Sequence, residues 1–255
     1  MSKIKVITID FWNTLFDSSN GIERNEHRIK KLKSAFESIG FEISDADYEK
    51  AMQQAWEYFN NIWRNELRTI STRDAILFFW NYFHAPFVEK LISDVVDAFE
   101  KSILIHPPSL IEGVPEALNT LSKKFKLAIV SDTGFSPGSI LRELLKISGI
   151  YDYFSYFSFS NETGVAKPHP KAFLTVLNHF GCEPQNALHI GDIEETDIQG
   201  AKNLHMFAIR FIGNHLDFLS EDTEIHTLAD YIATSWNEIP KIIDEIDSKA
   251  SNESQ

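Results

Sequence analysis

The sequence predicts an α/β fold: a parallel sheet covered by helices on both faces, with a helical domain inserted after the first strand. Three observations carry this. Four apolar runs of strand length, residues 4–9, 125–130, 187–190 and 206–211, each stop short of a polar residue or glycine. Helical patterns separate the last three of them, and strands alternating with helices imply a parallel sheet. The stretch 17–106 has helical periodicity throughout and no convincing strand.

Taken in order, the run at 4–9 (Ile4, Val6, Ile7, Ile9) ends at Asp10 and reads as a buried first strand. The insertion follows, residues 17–106. Ile22, Ile29, Leu32, Phe36 and Ile39 form one helical stripe ended by Gly40, and Tyr48, Met52, Ala55, Phe59, Ile62 and Trp63 form another. Ser71 followed by Asp74 resembles an N-terminal cap for a helix running through Phe83. His106-Pro107-Pro108 marks the return to the sheet. The pattern at 115–124 then places Ala117, Leu118 and Leu121 on one face. Strands at 125–130, 187–190 and 206–211 alternate with helices at 140–147, 170–180 and 197–204. The core domain is therefore expected over residues 1–16 and 107–245. Residues 246–255 are expected to form a frayed polar tail.

Composition narrows the function. The chain has 255 residues, 43% of them hydrophobic and 24% charged, which suits a globular protein with a sizeable core. A formal net charge of -13 opposes a nucleic-acid backbone or an anionic membrane as main partner. Its one cysteine, Cys182, cannot form an internal disulfide, no apolar stretch is long enough to span a bilayer, and no leader pattern opens the sequence. The expectation is a cytoplasmic protein, a monomer or homodimer, that binds a small molecule.

In open parallel sheets ligands bind beyond the carboxyl ends of the strands. Asp10, Ser131 and Asp192 all fall at that predicted edge. Singly, Asp10 would be a turn residue, Asp197 a helix N-cap, Ser131 a turn serine and Lys167 a solvated lysine. Together, at matching topological positions, they read as one site. A carboxylate at Asp10 suits nucleophilic attack on phosphorus, and Asp192 and Asp197 complete an all-oxygen set suited to Mg²⁺. Ser131 offers a hydroxyl and the turn after it offers backbone N–H groups to a phosphate. Lys167, just ahead of a helix that Pro170 can start, would neutralise charge.

Asp10 with Thr14, Ser131, Lys167 in Gly-x-x-Lys-Pro-x-Pro, and Gly-Asp-x-x-x-x-Asp at 191–197 resemble the four ordered motifs of the haloacid dehalogenase superfamily. The resemblance spans roughly residues 4–212. It implies a Rossmann-like, doubly wound core with a helical cap inserted between the first two motifs. It assigns Asp10 as nucleophile. Asp10, Asp192 and the backbone carbonyl of Trp12 become ligands of Mg²⁺, Asp197 orients the metal, and Ser131 and Lys167 contact phosphate. Phe11, Trp12, Asp132 and Thr133, with Arg64 and Arg68 from the cap, are expected to border the substrate; Arg24 is a further candidate.

Trp12 departs from the pattern, because the family's phosphatases carry there an Asp that protonates the leaving group. General acid–base help contributes about 10² to 10⁴ in rate, and indole supplies none. Three outcomes stay open: leaving groups that need no proton, an acid from the cap such as His27 or His84, or binding without turnover. The family's dehalogenase branch places an aromatic at this position. It lacks the second carboxylate motif, so the residues favour a Mg²⁺-dependent phosphatase acting on a small phosphorylated metabolite. A metal-independent haloacid dehalogenase and a non-catalytic phospho-ligand binder are the alternatives. The aromatic stripe Trp56, Phe59 and Trp63 is expected in the cap's core, and His189 is expected to be a satisfied core histidine.

Overall fold

A computed structural model describes residues 3–213 and 226–252. The chain runs β1 (Val6–Ile9), α1 (Gly21–Glu37), α2 (Asp45–Glu66), α3 (Thr72–Tyr82), α4 (Glu89–Ile105), α5 (Val114–Leu121), β2 (Lys126–Ser131) and α6 (Gly138–Ile147). It continues with β3 (Phe154–Phe159), α7 (Ser160–Thr163), α8 (Pro170–Phe180), β4 (Ala187–Gly191), α9 (Gln199–Asn203), β5 (Phe207–Phe211), β6 (Tyr231–Ala233) and α10 (Ile239–Asn252).

All strand pairs are parallel, in the order β3-β2-β1-β4-β5-β6. β1 lies centrally, and its four residues are buried on both faces, which is why it reads as an apolar run interrupted only by Thr8. One face packs on α5, α6 and α10 through residues such as Ile7, Leu118, Leu141 and Ile243. The other packs on α8 and α9 through Val6, Phe173, Leu177 and Ala201. The strand order reverses direction beside β1, so the crevice opens at the end of β1, where Asp10 stands.

α1 to α4 enclose a separate apolar cluster that includes Leu32, Phe36, Tyr48, Phe79, Trp80 and Phe99. The stripe on α1 is incomplete, because Ile22 is exposed. Ser71 caps α3 as expected, its Oγ accepting the Asp74 N–H at 3.1 Å and donating to Asp74 Oδ2 at 2.6 Å. The two linkers to the helical layer run together: Asp17 N–H donates to the Ser109 carbonyl, and Ser109 N–H returns to Asp17 Oδ1, both at 3.0 Å.

Two departures concern the ends of the core. β3 and β6 are additional edge strands, one half-exposed and one only three residues long. The expected tail from residue 246 is instead helical as far as Asn252. Its physical cause is an apolar stripe, Ile239, Ile243 and Ile246, with Ile246 buried, together with Asp247, whose Oδ1 accepts the N–H groups of Lys3 and Ile4. Residues 1–2 and 214–225 of the expected core domain, and 253–255 of the expected tail, lie outside the described residues. No helix among the described residues is long and apolar enough to cross a membrane.

Candidate active site

Asp10 follows β1, and its N–H donates to the Ile190 carbonyl of β4, so the nucleophile candidate is fixed by the sheet itself. Asp192 follows β4. After it the chain makes a π-helical turn over Glu194–Ile198 that carries Asp197 back beneath the strand end. Gly191 is required for that return: a Cβ there would lie 2.4 Å from Asp197 Cγ. The outcome is a group of three buried carboxylates, Asp10, Asp192 and Asp197, each offering a ligand atom within 4.8 Å of the others.

Lys167 reaches this group from the loop between α7 and α8. Its Nζ donates to Asp10 Oδ1 and to Asp197 Oδ1, each at 2.5 Å, and its side chain is 4% exposed. Asp197 has both oxygens satisfied. Oδ1 also accepts from His189 Nε2 at 3.0 Å, and Oδ2 accepts from Ile193 N–H at 3.1 Å and from the Thr196 hydroxyl at 3.3 Å. His189 is completed by Thr8 Oγ1, 2.9 Å from Nδ1, which makes it the satisfied core histidine expected.

Burial and charge set the protonation pattern. Burial pushes the Asp10 carboxyl up to about 8; the Lys167 ammonium pulls against it, while the charges of Asp197 and Asp192 add to it. Burial acts upward on Asp197 as well, yet Lys167 and the bond from His189 hold it well below the usual carboxylate range. Burial alone would lower Lys167, but Asp10, Asp197 and Asp132 hold it above the ordinary lysine value. Three carboxylates therefore face one buried ammonium, and the crowding is relieved at Asp10, the carboxyl that holds a proton most readily.

Ser131 ends β2 with its hydroxyl 3.3 Å from the Asp132 carbonyl and is 2% exposed. Asp132 and Thr133 are engaged by the protein. Asp132 Oδ2 accepts the Trp63 indole N–H at 2.8 Å and Oδ1 accepts the Lys167 N–H at 2.9 Å. It therefore joins α2 of the cap to the lysine loop. Burial still pushes its carboxyl upward. Thr133 gives its N–H to Ser160 Oγ at 2.8 Å, so this N–H is not free for a ligand. Beside this bridge, the Leu67 carbonyl accepts the Ala166 N–H at 2.6 Å, and Thr69 Oγ1 lies 2.7 Å from Ser160 Oγ.

A cavity of about 720 Å³ lies between core and cap, bordered by Trp12, Asp132, Thr133 and Phe135 from the core and by Arg24, Arg28, Trp56, Phe59, Trp63 and Arg64 from the cap. The acidic side chains and Lys167 do not line it, and it adjoins them through Trp12, two residues after Asp10, and Asp132, which accepts the Lys167 N–H. Several expectations change here. Phe11 does not border it; the ring is fully buried and stacks on Phe16 at 4.7 Å, because residue 11 points to the core side of the turn. Arg68 is also absent from its walls and pairs with Glu66 at 2.7 Å, two residues away on the exterior. Trp56, Phe59 and Trp63 line the cavity rather than forming only cap core. His27 borders a different groove, and His84 borders neither. Arg28 and the Trp63–Asp132 bond were not anticipated. A helical i, i+4 pair of arginines at 24 and 28 was the one available signal for the former.

The profile described as haloacid dehalogenase-like hydrolase matches residues 4–205. The chain is 26% identical over 258 residues to the glyceraldehyde 3-phosphate phosphatase of Pyrococcus furiosus, covering 100% of this chain and 98% of that one. It is 24% identical over 255 residues to the N-acylneuraminate-9-phosphatase of Homo sapiens, covering 98% of each. Among solved structures, the 2-haloacid dehalogenase of Pseudomonas syringae shares the fold with a TM-score of 0.70 at 18% identity, over 95% of this chain and 99% of that one.

Proposed function

Since the chain belongs to the haloacid dehalogenase-like hydrolase family, we propose that it is a Mg²⁺-dependent phosphatase of a small phosphorylated metabolite, working through an aspartyl phosphate at Asp10. The observation that carries this reading is the convergence of Asp10, Asp192 and Asp197 around one buried lysine at the end of β1. Two relatives named as phosphatases support the same class of reaction.

The donor set fits a hard divalent cation. All three side chains offer carboxylate oxygen, and a single ammonium leaves them with excess negative charge. Asp10 and Asp192, with the Trp12 carbonyl, would hold Mg²⁺, while Asp197, whose oxygens are already satisfied, orients the group through Lys167. When bound, the ion offsets the repulsion between nucleophile and phosphate.

Asp10 attacks phosphorus with a carboxylate oxygen, the bond from phosphorus to the leaving oxygen breaks, and an acyl phosphate forms on Asp10. Lys167 keeps its charge throughout, because Asp10 and Asp197 hold its proton, and so it offsets charge on the phosphoryl oxygens. Water then cleaves the acyl phosphate, releasing inorganic phosphate and restoring Asp10. Trp12 gives no proton to the leaving oxygen. Aryl, acyl and anhydride phosphates are therefore favoured over alkyl esters.

Hydrolysis of 4-nitrophenyl phosphate and acetyl phosphate with Mg²⁺ tests the reading. Turnover should vanish with chelator and in Asp10→Asn. Halide release from a 2-haloacid without metal would replace it with dehalogenation, and tight binding of a phosphate analogue with no turnover of any phosphate would reduce it to ligand binding.

A further inference from the structure

Arg24 and Arg28 stand one helical turn apart on α1, and both border the cavity that Trp12 and Asp132 line from the core side. Like charges at this spacing repel, and neither guanidinium forms an ion pair with a described residue. Arg24 is spent on structure: Nη1 donates to the carbonyls of Ser19 at 2.7 Å and His106 at 3.0 Å, tying α1 to the base of the cap. Arg28 is positioned but not neutralised. Its Nε donates to Ser102 Oγ at 2.8 Å, Nη1 donates to Asn25 Oδ1 at 3.2 Å, and the guanidinium lies over the Phe135 ring at 4.8 Å. Nη2 makes no hydrogen bond to a described residue. Burial, reinforced by Arg24, draws this guanidinium down to about 10.

A partly buried charge held beside a like charge, without an acid, costs stability. The chain carries 37 acidic residues, yet none is paired with Arg28 among the described residues. A ligand anion would complete the arrangement. The cavity that Arg28 borders also has Trp12, Phe59 and Trp63 in its walls. Trp12 follows Asp10 by two residues, and Trp63 is bonded to Asp132, which accepts the Lys167 N–H, so these aromatics connect the Arg28 side to the acidic group.

We propose that Arg28 is the specificity determinant for a second oxyanion, carried by the leaving group of the phosphate ester, with the aromatic walls receiving the part that joins the two. This rests on the phosphatase reading of the Asp10 site. A guanidinium presents paired N–H donors that match a carboxylate or phosphate. An analogue lacking the anion leaves those donors unpaired and is rejected.

The test compares phenyl phosphate, 4-carboxyphenyl phosphate and 1,4-phenylene bisphosphate in the parent, Arg28→Gln and Arg28→Lys. The parent should prefer one anionic ester over phenyl phosphate by about tenfold or more in kcat/KM, and which one it prefers separates carboxylate from phosphate. Within each protein this ratio cancels any general loss of activity. It should fall to near unity in Arg28→Gln and stay partly raised in Arg28→Lys. No preference in the parent, or a preference that survives Arg28→Gln, overturns the assignment. Calorimetric binding of benzylphosphonate and its 4-carboxy and 4-phosphono analogues needs no turnover. If no phosphate is hydrolysed but an anionic phosphonate binds more tightly in the parent alone, the phosphatase reading fails and the Arg28 assignment stands. Equal binding of all three overturns it.

Discussion

Gly191 and Asp197 occupy the same space to within one methyl group: a Cβ on Gly191 would meet Asp197 Cγ at 2.4 Å. The glycine thereby sets where the carboxylate sits, and through it where Lys167 sits. Overpacking of this kind costs about 1–3 kcal/mol. Gly191→Ala should lower stability by that amount, measured by urea unfolding, and should lower kcat by about tenfold or more as Lys167 loses its anchor. Unchanged kcat in a folded variant would mean that Asp197 does not position the lysine.

Metal binding should be linked to pH through Asp10. Its carboxyl is pushed up to about 8, so at lower pH a cation must displace a proton. The rise in Tm given by Mg²⁺ is expected to grow from about pH 6 to about pH 8.5, reaching the equivalent of about 2.7 kcal/mol at a hundredfold excess over Kd. Asp192→Asn should abolish most of the shift. A Mg²⁺ shift independent of pH and of Asp192 would place the ion elsewhere.

The missing acid at position 12 makes its own prediction. Trp12→Asp puts a carboxylic acid beside the leaving group and should raise turnover of alkyl phosphates by about 10². Aryl phosphates, whose leaving groups need little protonation, should gain much less. Equal gains would show that Trp12 limits the reaction by shape and not by proton supply.

Trp63 and Asp132 join the cap to the loop that carries Lys167, at 2.8 Å. Trp63→Phe keeps an aromatic wall and removes the donor to a carboxylate, a loss of about 1.5–3 kcal/mol for such a bond. KM should rise more than kcat falls, since the bond closes the cavity and touches no reacting atom. A double-mutant cycle with Asp132→Ala that shows no coupling would refute the link.

What the sequence reveals here follows the range over which each feature is encoded. Asp10, Asp192, Asp197 and Lys167 stand at strand ends, a turn or a loop marked by local spacing, and the central strands are marked by mainly apolar runs. β3 lies at a sheet edge, is interrupted by Ser155 and Ser158 and is buried only at its ends, and β6 has only three residues, so neither produces such a run. The contacts of Asp132 with Trp63 and Lys167 join positions 69 and 35 residues apart and leave no periodic trace. Phe11 departs from the expected substrate border because a motif's neighbours need not share its direction: one residue further along the turn, the ring enters the core. The helix through Asn252 leaves little trace in the sequence because its apolar stripe ends at Ile246, where a polar segment begins.

His189 gives stability a defined pH dependence. The ring is fully buried between Thr8 and Asp197. Asp197 accepts from Nε2, which therefore carries a proton, and the Thr8 hydroxyl lies 2.9 Å from Nδ1 and donates to the Leu188 carbonyl at 3.3 Å. Burial holds it below its ordinary value, against the opposing pull of Asp197. In the unfolded chain a histidine titrates near about 6.5. Below that pH the unfolded state takes up a proton that the folded state refuses, so unfolding is favoured as pH falls. The contribution is fully present above about 6.5 and is lost on descending towards the folded value, with a slope of up to about 1.4 kcal/mol per pH unit. His189→Gln retains an N–H for Asp197 and removes the titration. Urea unfolding from about pH 7.5 to about pH 5.5 should then show a shallower loss of stability in the variant than in the parent. Equal slopes would mean that the folded protein takes up the proton at His189 as readily as the unfolded chain does.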